Sequence, residues 1–166
     1  MNYNEGATIQ EDDEETFSEA VEQFLSGEIT SNLSKMTSIF LIGDDQAYLS
    51  NLKVELSFWP NHQIKGQSRT VIEEVLTALN QQSPDIILFD VGLSMTHHLR
   101  TIQLIRTTCP STKLLALMPD AIPLHIRQVQ WSGVHGYILK DSPTVEIINK
   151  VAEIQEFRKY MLSALT

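Results

Sequence analysis

The chain predicts a three-layer α/β sandwich around a parallel five-stranded sheet, and three observations carry that prediction. From residue 37 onward, five short apolar runs alternate with amphipathic segments. The runs are too uniformly apolar for the in-and-out alternation of a half-wet sheet, so both faces of the sheet should be covered by helices. Finally, charged residues follow the runs: Gly43-Asp44-Asp45 after the first, Asp90 at the end of Ile86-Ile87-Leu88-Phe89-Asp90, and Lys140-Asp141 after Gly136-Tyr137-Ile138-Leu139. That placement is what side chains gathered at one end of a buried sheet look like in sequence. The stretch from Leu114 to Asp120 departs from it, because Met118-Pro119 intervenes before the acid.

The elements follow in order. Strand one is predicted over 38–42 and a helix over 46–58; strand two over 62–67 and a helix over 70–81. Ser83-Pro84 breaks the chain ahead of strand three, 86–89, and its helix, 97–108, is closed by Pro110. Strand four covers 114–118, with a helix over 122–131. Strand five covers 136–139, and in Asp141-Ser142-Pro143 the proline suits the first turn of a last helix over 143–162. Right-handed crossovers between parallel strands put helices on both faces and the site at the strands' carboxyl ends.

Bulk properties narrow the class. The 166 residues suffice for one domain with its own core, without disulfides or a structural metal. A single cysteine, Cys109, excludes an internal disulfide framework and fits a reducing cytoplasm. The N-terminus lacks the basic and apolar regions of a signal peptide, and no run approaches a membrane span, so neither membrane insertion nor export is expected. The net charge of −9 is local: residues 1–36 hold nine acids and one base, leaving the other 130 near neutrality. Such an acidic block repels phosphates and argues against direct nucleic-acid binding.

The predicted boundary falls accordingly, with an acidic extension over 1–36 and a domain over 37–162. Residues 1–15 are too polar to bury a core. Phe17, Ala20, Val21, Phe24 and Leu25 recur at helical spacing before Gly27, a short helix that either caps the domain or docks a partner.

Strands one and three are neighbours in this architecture, so Asp45 and Asp90 should face each other across one crevice, with Asp44 beside them. Three clustered carboxylates repel unless a hard cation neutralises them, and Mg²⁺ suits oxygen ligands while keeping waters and phosphate oxygens. Lys140 would add a fixed positive charge. Carboxylate nucleophile, metal and lysine together describe a phosphoryl-accepting aspartate. No G-x-G-x-x-G and no Walker A sequence is present, which disfavours dinucleotide and nucleoside-triphosphate binding.

Through Leu41-Ile42-Gly43-Asp44-Asp45, Pro84-Asp85-Ile86-Ile87-Leu88-Phe89-Asp90 and Ser132-Gly133-Val134-His135-Gly136-Tyr137-Ile138-Leu139-Lys140-Asp141, the sequence resembles the receiver domain of two-component response regulators, over about residues 37–158. It is most similar to receivers that elsewhere precede a helix-turn-helix domain. The resemblance implies a flavodoxin-like (βα)5 fold with strand order 2-1-3-4-5. It also implies Asp90 as phosphoacceptor, Asp44 and Asp45 as the acidic pair, Gly92 as a backbone-carbonyl ligand to Mg²⁺, Lys140 as the phosphoryl-contacting lysine and Tyr137 as the switch aromatic.

Three positions depart from the family pattern. The switch Ser/Thr falls on Met118, whose thioether cannot donate a hydrogen bond to a phosphoryl group. Ser94 stands where the family has proline, and His98 where it has glycine. His97 and His98 are adjacent, and on a helix they point about 100° apart, so a paired metal site is disfavoured. His62, His125 and His135 carry no pattern, and Trp59 and Trp131 are expected in core or edge packing.

Two functions follow. The first is a stand-alone, non-enzymatic receiver that takes a phosphoryl group on Asp90 from a sensor histidine kinase or phosphotransfer protein, with Mg²⁺. It would signal to a downstream protein partner through the surface around Tyr137; homodimerisation is compatible with it. The second is a receiver-like interaction module that works without phosphorylation, motivated by Met118 and Ser94. No output domain is expected after the last helix, and hence no promoter binding.

Overall fold

The computed structural model describes residues 36–164, with side chains described through 156. The N-terminal amphipathic segment at Phe17–Leu25 lies outside the described residues. From Met36 the chain forms one compact unit in which strand and helix alternate: β1 Thr37–Ile42, α1 Gln46–Ser57, β2 His62–Ser68, α2 Ile72–Gln82, β3 Ile86–Asp90, α3 Met95–Thr108, β4 Lys113–Met118, α4 Pro123–Trp131, β5 Gly136–Leu139 and α5 Thr144–Ala164. All pairs are parallel and the order is β2-β1-β3-β4-β5, the expected doubly wound sheet.

Element bounds differ from the sequence reading by a residue or two. α3 begins at Met95, two residues ahead of the expected start, because the His98 amide already donates to the Ser94 carbonyl. β2 carries a bulge: Ile39 pairs with Ile64 but Phe40 with Gly66, so Lys65 is the extra residue.

The apolar runs split into two buried layers by strand alternation. Ile39 and Leu41 of β1, Ile86 and Leu88 of β3, and Leu115 and Leu117 of β4 pack with Leu49, Leu52 and Leu56 of α1 and with Ile147, Val151 and Ile154 of α5. The intervening residues Phe40, Ile42, Ile87, Phe89, Leu114 and Ala116 pack with Val75 and Leu79 of α2, Ile102 and Ile105 of α3 and Val129 of α4. Burying each such side chain is worth about 1.5–3 kcal/mol, which is what holds three layers together without a cross-link. β5, at the sheet edge, stays half-buried. Trp59 packs against the first layer, whereas Trp131 is 78% exposed rather than packed in the core.

Candidate functional site at the carboxyl end of the sheet

Parallel pairing brings the ends of β1, β3 and β5 and the loops after them to one edge. The ladder continues past the strands: the Gly43 amide donates to Ser68 carbonyl (3.0 Å), Val91 to Leu117 (3.0 Å) and Lys140 to Met118 (2.8 Å). These bonds fix where each charged residue leaves the sheet. They bring Asp45, Asp90 and Lys140 together, although Asp45 and Lys140 lie 95 residues apart in the chain.

Asp90 is the last residue of β3 and only 2% exposed. Lys140 Nζ donates to its Oδ2 at 3.0 Å, while Oδ1 is buried and has no hydrogen-bond partner. Burial pushes the carboxyl above its ordinary pKa and the neighbouring Asp45 charge adds to this, whereas the Lys140 hydrogen bond and charge oppose it. Gly43 makes the packing possible, because a Cβ there would stand 2.6 Å from the Asp90 Cβ.

Asp45 caps α1, with its Oδ1 accepting from the Tyr48 amide at 3.0 Å. Its Oδ2 takes a 3.5 Å contact from the same lysine. That backbone hydrogen bond, with Lys140, holds the exposed carboxyl below its ordinary range. Lys140 is in turn held by Tyr48: the ammonium lies 4.2 Å from the ring centroid, and the Tyr48 hydroxyl donates to the Lys140 carbonyl at 3.1 Å. Burial, then the charges of Asp90, Glu55 and Asp45, keeps that phenol protonated.

Asp44, expected beside Asp45 and Asp90, takes its hydrogen bonds from other donors. Its Oδ1 accepts from the Thr70 hydroxyl at 2.6 Å and the Thr70 amide at 3.3 Å, and its Oδ2 is 2.9 Å from His98 Nε2. Burial alone would raise its pKa, but the hydrogen bonds from Thr70 and His98 outweigh it and the carboxyl titrates low. Among the described residues, no three His, Cys, Asp or Glu side chains are arranged to hold a metal ion. The acidic pair is divided: Asp45 faces Lys140, and Asp44 faces α3.

A hard cation therefore fits a smaller set. Asp90 Oδ1 is a buried acceptor without a partner, and Asp45 Oδ2 has only the longer lysine contact. With the Gly92 carbonyl, expected from the resemblance, these two side chains suit an ion such as Mg²⁺, which is bound by few carboxylates and keeps several waters.

His98 is the residue the sequence reading undervalued. It is 1% exposed, its Nδ1 accepts from the Gly92 amide at 2.9 Å, and its ring packs edge-on to Phe89. A signal was present, since His98, Thr101, Ile102 and Ile105 form the i, i+3, i+4, i+7 stripe that α3 buries. His135 is likewise structural: its Nδ1 accepts from the Leu114 amide at 3.0 Å, and its own amide donates back to the Leu114 carbonyl at 2.8 Å.

Met118 ends β4, fully buried, and its thioether joins the second core layer, against which Tyr137 is packed. A cavity of about 590 Å³ lined by Lys113, His135, Lys150 and Ile154 lies at the opposite, amino end of the strands and takes no part in this site.

Comparisons agree on the fold. No family model matches the chain. Over 124 residues it is 25% identical to the transcriptional regulatory protein DesR of Bacillus subtilis, covering 75% of this chain and 61% of that protein. Over 97 residues it is 28% identical to LnrK of the same organism, covering 53% and 44%. The chain thus spans less than two thirds of the curated relatives' length. In structure it resembles the signal receiver domain of the response regulator NarL from Mycobacterium tuberculosis, with a TM-score of 0.63, 19% identity, and 72% and 95% of the two chains covered. It also resembles a CheY-like receiver domain from Methanospirillum hungatei, with a TM-score of 0.63, 20% identity, and 75% and 98% covered. With the parallel 2-1-3-4-5 sheet and Asp90 and Lys140 joined at its carboxyl edge, the compact unit of this chain has the fold of response-regulator receiver domains.

Proposed function

We propose that this domain accepts a phosphoryl group on Asp90 and passes its state to a protein partner. The observation that carries the reading is the pairing of a nearly buried carboxylate with one ammonium: Lys140 holds Oδ2 at 3.0 Å and leaves Oδ1 unengaged. A carboxylate oxygen would attack the phosphorus of a phosphohistidine on a sensor kinase or phosphotransfer protein. The phosphorus–nitrogen bond breaks, an acyl phosphate forms, and the donor imidazole leaves with the electron pair. Lys140 orients the acceptor and then neutralises the phosphoryl oxygens. Mg²⁺, bound by Asp45, Asp90 and the Gly92 carbonyl, would supply charge neutralisation for the incoming phosphoryl group.

The test is incubation with acetyl phosphate and Mg²⁺ followed by intact-mass measurement. A gain of one phosphoryl group in the wild type and none in Asp90→Asn is the expected result. Modification that persists in Asp90→Asn would remove the acceptor assignment.

A second reading, a phosphorylation-independent interaction module, is favoured by Met118. A fully buried thioether cannot follow a phosphoryl group with a hydrogen bond, so the contact that would link phosphorylation to the Tyr137 side is lacking. Under this reading beryllofluoride and Mg²⁺ leave the Tyr137 ring resonances where they were, even if Asp90 shifts. The protein's direct targets and its partner belong to the same proposal. So does the absence of nucleic-acid contact, which rests on the acidic extension.

A further inference from the structure

We infer that His98 is a positioning residue that withdraws Asp44 from the cation site, so that this receiver meets a divalent ion with two acidic side chains instead of three. The inference deepens the proposed function and rests on it for the identity of the site. Both ring nitrogens are committed. The Gly92 backbone N–H can only donate, so Nδ1 must be the accepting nitrogen, and Nε2 carries the proton and donates to Asp44 Oδ2 at 2.9 Å. The imidazole thus links the loop after β3 to the loop after β1. It is held with little freedom: the side chain is 2% exposed, Phe89 lies edge-on at a 5.8 Å centroid separation, and a Cβ on Gly92 would approach His98 Cε1 to 3.1 Å.

Thr70, itself 3% exposed, completes the clamp by holding Asp44 Oδ1. Asp44 therefore satisfies two buried donors, Thr70 and His98, and releasing it would leave both short of a partner. Affinity for a hard cation rises with the number of charged oxygens offered to it. By holding one carboxylate away, His98 sets that number at the level of a weak, two-acid site. It acts through Asp44, by keeping that carboxylate on Thr70 and on its own Nε2.

The experiment is Mg²⁺ titration of the full chain, followed by calorimetry and by amide NMR, with no phosphoryl donor present. In the wild type, Asp45→Asn should abolish binding and Asp44→Asn should leave it unchanged. His98→Ala should raise the affinity roughly tenfold or more, because one more charged oxygen then becomes available to the ion. That gain should vanish in the His98→Ala/Asp44→Asn double variant, which a merely structural role for His98 would not produce. Imidazole ¹⁵N shifts should show Nε2 protonated and Nδ1 bare in the wild type. Equal loss of binding in Asp44→Asn and Asp45→Asn overturns the inference, as does a folded His98→Ala with wild-type affinity. Should His98→Ala fail to fold, the comparison of Asp44→Asn with Asp45→Asn and the tautomer decide it. Failure of phosphorylation at Asp90 would remove the functional reading while leaving these binding results to stand or fall separately.

Discussion

Tyr48 and Lys140, 92 residues apart, hold each other twice: the phenol donates to the lysine carbonyl at 3.1 Å, and the lysine ammonium sits 4.2 Å from the centroid of the tyrosine ring. The first contact fixes the backbone just after β5 and the second fixes the head group. Lys140 is thereby aimed at Asp90 and Asp45 rather than left to sweep solvent.

Tyr48→Phe keeps the ring and removes only the hydroxyl, and should cost about 0.5–1.5 kcal/mol of stability. Tyr48→Ala loses the ring as well and should cost more, through lost packing and lost cation–π attraction. Urea unfolding of the two variants checks the order.

Lys140→Met should destabilise the domain by about 3 kcal/mol, because it leaves the Asp90 carboxylate buried without its cation. Adding Asp90→Asn should restore most of the loss, since no uncompensated charge then remains. If the double variant is as unstable as the single one, the pair is not what holds this edge of the sheet.

Asp90 also sets a pH dependence. Its folded pKa is raised, first by burial, so the folded state binds its proton more tightly than the unfolded chain. That contribution is present at low pH and is lost as pH rises through the folded pKa. Asp90→Asn should therefore raise the urea midpoint at neutral pH, and its advantage should shrink on acidification below the ordinary carboxylate range.

His135 works in the opposite sense. Burial first, then Arg106 and Lys113, pushes its pKa from 6.5 down to about 4, and its Nδ1 is an acceptor for Leu114 N–H. The folded state resists the proton that the unfolded chain accepts. Stability present above pH 6.5 should fall as the pH drops toward 4, at less than about 1.4 kcal/mol per pH unit given the partial exposure. His135→Asn retains an acceptor that does not titrate and should flatten that limb of the stability curve.

Gly43→Ala places a methyl group 2.6 Å from the Asp90 Cβ, between two strand ends that cannot part freely. Overpacking of this kind costs about 1–3 kcal/mol. The same variant should slow acetyl-phosphate modification of Asp90, which mass spectrometry reads directly. Wild-type stability and rate together would show that the loop after β1 yields more than its hydrogen bonds to Ser68 imply.

Most of the architecture was legible in the sequence because its signals are local. Runs such as Ile86-Ile87-Leu88-Phe89 are apolar at every position, which only a strand buried on both faces requires. The helices show their inward stripes, as in Leu49, Leu52 and Leu56. Element ends were less legible where backbone bonds decide them, as at Ser94 and His98 or at the β2 bulge.

At the site, residue type and position after a strand were enough to single out Asp90, Asp45 and Lys140, because a parallel sheet delivers every strand end to one edge. The sequence alone determined which charges arrive there. Only the tertiary structure decided how they are shared: Asp44 turns to Thr70 and His98, and Asp45 and Asp90 turn to Lys140. The reason is that a carboxylate leaving a strand has two oxygens and a choice of donors. The donors that claim Asp44 come from residues 26 and 54 positions away, brought into reach only by packing of the loop before α2 and the first turn of α3.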